Sequence, residues 1–79
     1  MSETEIYARL NDVFRDVFDD YEIVISPETT AADVDGWDSL NHIRLILSVS
    51  REFGIQFSAS EVANFKNVGD LVTAITRRM

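Results

Sequence analysis

Three stretches of this 79-residue chain place apolar side chains three and four positions apart, and that spacing constrains its fold more than any other feature. Ile6, Leu10, Val13, Phe14, Val17 and Phe18 form the first set, and Val68, Leu71, Val72 and Ile75 the last. Between them lies a denser one, Leu40, Ile43, Leu45, Ile46, Leu47, Val49 and Phe53. At about 100° per residue the first and last sets each gather on one side of a helix, which must then bury against other elements, whereas the middle set covers an arc wider than one packing face needs. The spacing predicts an all-α chain.

Cap signals set the ends. Ser2 and Glu5 have the spacing of a capping box, which opens a first helix over about 3–18 with Glu3, Arg9, Asp12 and Asp16 facing water. Asp38 is a good N-cap for a second helix running from Ser39 to about Phe53, with Gly54 at the left-handed C-terminal position. Ser58 with Glu61 repeats the box ahead of a short third helix ending near Phe65. Asn67 caps the fourth, and Arg77 and Arg78 sit near its negative end. The expected architecture is a four-helix bundle with a short third helix and a long first connection. That connection, Asp19 to Asp38, carries Pro27, Gly36 and scattered Thr and Asp; loops of such length in small domains tend to be functional. Ile23, Val24 and Ile25 have no partner strand elsewhere, so they are expected to pin an ordered loop.

A chain of this length buries only about 60% of its unfolded surface, so an elaborate active site with its own lid is not expected. Hydrophobic residues make up 46%, enough for a core. With no Cys and one His, neither a disulfide framework nor a zinc site is expected, and no metal is assigned. A net charge of −7 argues against nucleic acid and anionic lipid and for protein partners with basic surfaces. The acidic start, Ser2-Glu3-Thr4-Glu5, lacks the pattern of an export signal, and no apolar stretch is long enough to span a bilayer. A cytoplasmic monomer without membrane insertion, one domain over residues 1–79, is the default expectation.

Charge is uneven. Residues 1–38 carry net −9 and residues 39–79 net +2, so acidity is concentrated ahead of the second helix. Asp33, Asp35 and Gly36 fall on positions of a calcium loop counted from Ala31, but Ala31 and His42 stand where its two anchor ligands belong.

Asp38-Ser39-Leu40, preceded by Gly36 and opening an apolar helix, resembles the acyl carrier protein family. The resemblance continues through Phe53-Gly54-Ile55 and Val68-Gly69-Asp70-Leu71 and covers nearly the whole chain. It implies that Ser39, flanked by Asp38 and Leu40, receives 4′-phosphopantetheine from coenzyme A through a separate magnesium-dependent phosphopantetheinyl transferase. The chain would then be modified and not catalytic, holding acyl groups as thioesters for acyl-loading and acyl-processing enzymes. A serine in the first turn of a helix is exposed, and the free N–H groups there suit a phosphodiester. The competing assignment for Ser39 is a plain helix cap.

In the family, partners dock on the second helix around the serine, and an acyl chain lies along the arm or folds back among the helices. Mapped here, Leu40, Ile43, Arg44, Leu47 and Arg51 face outward, while Leu45, Ile46, Val49 and Phe53 face the core. The chain departs from many fatty-acid carriers, for Asn41, Arg44 and Arg51 stand where carboxylates are common. That implies a dedicated partner set with acidic or apolar patches, in a specialised fatty-acyl, polyketide or lipid-modification pathway. A peptidyl or aminoacyl carrier and an unmodified helical adaptor are the alternatives, the former disfavoured by Asp38. Trp37 is expected to anchor the approach to the second helix. His42 is expected to pack at the core edge, with the mouth of an acyl cavity as its second reading.

Overall fold

The computed structural model describes residues 1–79. Four α-helices follow in order: α1 (Glu3–Phe18), α2 (Ser39–Phe53), α3 (Ala59–Asn64) and α4 (Val68–Arg77). A single turn of 3-10 helix, Ala31–Asp33, interrupts the α1–α2 connection. There are no strands.

Each helix starts where a short polar side chain can accept its free N–H groups. Ser2 accepts from the Glu5 N–H at 3.2 Å, Asp38 from Asn41 at 2.8 Å and Asn67 from Asp70 at 2.8 Å. Ser58 and Glu61 close a full capping box on α3. Gly54 ends α2 at φ +65°, a left-handed turn that costs glycine little.

The buried side chains are all apolar. Ile6, Leu10, Val13 and Phe14 of α1 meet Leu45, Ile46, Val49 and Phe53 of α2 and Val68, Leu71, Val72 and Ile75 of α4. Burying each such side chain contributes roughly 1.5–3 kcal/mol before entropy is charged against it. No residue of α3 is buried. It leans on this core only through partly buried Val62, with Phe65 just beyond its end.

The long connection is ordered, but only two of its three apolar residues hold it. Ile25 is buried and Ile23 partly so, whereas Val24 is 80% exposed. Extended backbone sends alternate side chains to opposite sides, so three in a row cannot all face inward. Asn11 of α1 takes the place of the missing partner strand. Its side chain donates to the Ile23 carbonyl at 3.0 Å and accepts from the Ile25 N–H at 2.8 Å, and Arg15 Nε also donates to the Ile23 carbonyl. Further along, the Val68 and Gly69 N–H groups donate to the carbonyls of Thr29 and Pro27, each at 2.9 Å. A Cβ on Gly69 would lie 3.0 Å from the Pro27 oxygen, which is why a glycine stands there.

The start of α2 and the groove beside it

The N-cap of α2 is Asp38 and its first helical residue is Ser39. Capping is thus done by a carboxylate, and the Ser39 side chain stands exposed in the first turn. The approach is fixed tightly. Gly36 turns at φ +86°, its carbonyl accepts from the Asn41 side chain at 2.7 Å and from the Asp38 N–H at 2.9 Å, and the Trp37 N–H donates to the Val34 carbonyl. Val34 is buried, a role that a lone valine between aspartates does not advertise.

Trp37 anchors this approach. Its ring meets Phe14 edge-on at 5.3 Å and lies 6.2 Å from Phe18, tying the loop to α1. Its indole N–H donates to His42 Nδ1 at 3.0 Å. His42 is half-buried and lines the groove beside Ser39, and its Nε2 lies 3.0 Å from the Val62 carbonyl of α3. It therefore joins the loop, α2 and α3, beyond simple packing at the core edge.

The groove has a volume of about 1040 Å³ and runs along α2 from Ser39 past His42, Ile43, Ile46 and Leu47 to Ser50. Phe57, Val62 and Phe65 form the opposite wall, and Lys66 lies on the same groove as Asp38 and Ser39. Most of the lining is apolar, as a hydrocarbon ligand requires. The α3 wall is held by directed contacts. Arg78, just past α4, pairs with Glu61, donates through Nε to the Gln56 carbonyl at 2.7 Å and lies 5.2 Å over the Phe57 ring. It also donates to the Ala74 carbonyl, the C-terminal role expected of it. The Ser58 N–H, and after it Arg78, hold the Glu61 carboxyl below its ordinary range.

Asp38, Ser39 and Leu40 come together at the exposed end of α2. Leu40, Ile43 and Leu47 are 71%, 50% and 58% exposed, and Arg44 and Arg51 are exposed with them. Ile43 and Leu47 border the groove, while Arg51 lies at the opposite margin beside Asp16 and Glu52. Leu45, Ile46, Val49 and Phe53 are buried. No three His, Asp or Glu side chains converge as a metal site would need.

The family model for the phosphopantetheine attachment site matches residues 8–75. The acyl carrier protein of Lactobacillus acidophilus is 33% identical over 76 residues, 95% of this chain and 94% of its own. That of Clostridium perfringens is 31% identical over 90% of this chain and 93% of its own. Among solved structures, the solution NMR structure of holo acyl carrier protein from Geobacter metallireducens aligns with a TM-score of 0.84 at 44% identity, covering 90% of this chain and 82% of that one.

Proposed function

The chain belongs to the acyl carrier proteins that bear a phosphopantetheine attachment site, and we propose that Ser39 is the hydroxyl to which the arm is esterified. Such proteins are carriers and not enzymes, and the prosthetic group is 4′-phosphopantetheine. When bound, the arm supplies a thiol that holds acyl groups as thioesters.

One observation supports Ser39 above all: Asp38 performs the capping, so the neighbouring hydroxyl is exposed without that duty. The residues around it suit the group. The N-terminal N–H groups of α2 and its dipole favour a phosphodiester, the first turn contains no acidic residue, and Lys66 supplies a cation on the same groove. Asp38 and Leu40 flank the linkage, Asp38 by holding the first turn in place. The apolar groove shelters the acyl chain. Incubation with coenzyme A and a broad-specificity transferase should add about 340 Da to the chain. That gain should vanish in Ser39→Ala; a gain that survives the substitution, or no gain at all, refutes the assignment.

Acyl carrier proteins work with enzymes, and here the docking face comprises Leu40, Ile43, Arg44, Leu47 and Arg51. Exposed apolar residues beside two arginines fit partners with acidic or apolar patches, so the transferase and the acyl-loading and acyl-processing enzymes form a dedicated set. A specialised fatty-acyl, polyketide or lipid-modification pathway follows. Reversing Arg44 and Arg51 to Glu should weaken turnover by those partners; unchanged or faster turnover refutes the charge preference. No helix is long and apolar enough to cross a membrane. The protein acts as one carrier domain over residues 1–79, a monomer in the cytoplasm.

A further inference from the structure

A neutral imidazole has one donor nitrogen and one acceptor nitrogen, and an indole N–H can only donate. Trp37 Nε1 lies 3.0 Å from His42 Nδ1, so Nδ1 is the acceptor and the ring proton sits on Nε2, which donates to the Val62 carbonyl. The two ring planes make an angle of 20°, which is compatible with an edge-to-edge N–H···N bond. Chemistry thus selects one tautomer, and both nitrogens are engaged on different elements. Val62 belongs to the last turn of α3, whose carbonyls lack intrahelical partners, so His42 also serves as a cap for that helix.

We propose that His42 is a proton-sensitive positioning residue: neutral, it holds Trp37 and hence the approach that presents Ser39, and a proton on Nδ1 releases the Trp37 side alone. An imidazolium carries N–H groups at both positions. Nδ1–H would then point at Trp37 Nε1–H, donor against donor, while Nε2–H goes on donating to Val62. The loop wall loosens and the α3 wall stays. Asp38 and Lys66 line the same groove as the ring, and Glu61 precedes Val62 but is engaged by Ser58 and Arg78. The ring packed against His42 at the end of α3 is the uncharged Phe65, 6.4 Å away. From α1 the side chains against Trp37 are the uncharged rings of Phe14 and Phe18.

Trp37 is the only tryptophan, so its indole N–H resonance reads the bond directly in the unmodified full chain. Between pH 8 and 5.5 that resonance should move toward its unbonded position, while exchange protection of the Val62 to Phe65 amides holds constant once corrected for intrinsic rates. His42→Gln, whose amide can accept from Trp37 and donate to Val62 without titrating, should keep the bonded signal at both pH values. His42→Phe should show the unbonded signal at both. A Trp37 signal that ignores pH, one that still titrates in His42→Gln, or simultaneous loss of α3 protection would each overturn the inference.

A second measurement ties the bond to Ser39 and rests on the attachment reading above. In one-tube competition for the transferase, the parent should load about fivefold faster than His42→Phe at pH 8, the factor corresponding to one hydrogen bond, and the ratio should fall toward one at pH 5.5. The enzyme's own pH profile cancels in that ratio. A ratio of one at pH 8, or the same ratio at both pH values, counts against positioning of Ser39. Failure of the parent to load at Ser39 under any condition removes the attachment reading and leaves the Trp37 resonance to decide the proton-sensitive bond.

Discussion

α3 and α4 are neighbours in sequence, yet they are held by different physics. Five of the ten residues of α4 are buried, and none of the six of α3. A helix of α3's length is unstable alone in water, and with only partly buried Val62 set against the core, much of its stability must come from its ends. The Ser58–Glu61 box closes its start, Arg78 grips Glu61, and His42 takes the Val62 carbonyl. Non-directional burial fixes a framework, whereas a few directed bonds fix a wall that can change independently. In this protein the framework carries Ser39, and the weaker wall borders the groove.

The contrast can be broken by substitution on each side. The largest effect belongs to Ile75→Ala in α4, where a fully buried side chain is cut back. We expect a loss of about 2–5 kcal/mol in denaturant unfolding, with all helices melting together. Val62→Ala in α3, at a half-buried site, should cost less than about 1 kcal/mol. Comparable losses at the two positions would erase the distinction. Arg78→Ala should leave the global transition nearly in place while amide exchange across α3 accelerates several-fold; uniform acceleration across α1, α2 and α4 would contradict it.

The smallest effect is one of pH. The folded Glu61 carboxyl titrates below its ordinary value of 4.5. Its contribution is therefore complete above that value and lost as the pH falls through the lowered one. Exchange in α3 should rise on that acid limb, and Glu61→Gln should flatten the rise. This window lies below the range in which an imidazole changes charge, so it is separable from any response of Trp37.

Much of this architecture was legible because helices obey local rules. Spacings of three and four marked the buried faces of α1, α2 and α4, and Ser2, Asp38, Ser58 and Asn67 marked the starts of all four helices. The exposure of Ser39 followed from its place just inside the second of these caps. What could not be read were bonds between distant residues. Asn11 reaches Ile23 and Ile25 across 12 and 14 positions, His42 reaches Val62 across 20, and Arg78 reaches Glu61 and Gln56 across 17 and 22. No periodicity announces such a pairing, since an exposed Asn, His or Arg reads the same whether or not a carbonyl awaits it. Val24 was misread for a related reason, because three adjacent apolar residues do not say which of them points inward.

The N–H groups of Val68 and Gly69 close on carbonyls some forty positions earlier, at Thr29 and Pro27. These are contacts of long sequence separation, and they tie the connection that leads to Ser39 to the start of α4. Undocking α4 therefore frees that connection as well, and an enzyme that reads its settled shape acts only on chains in which α4 is seated.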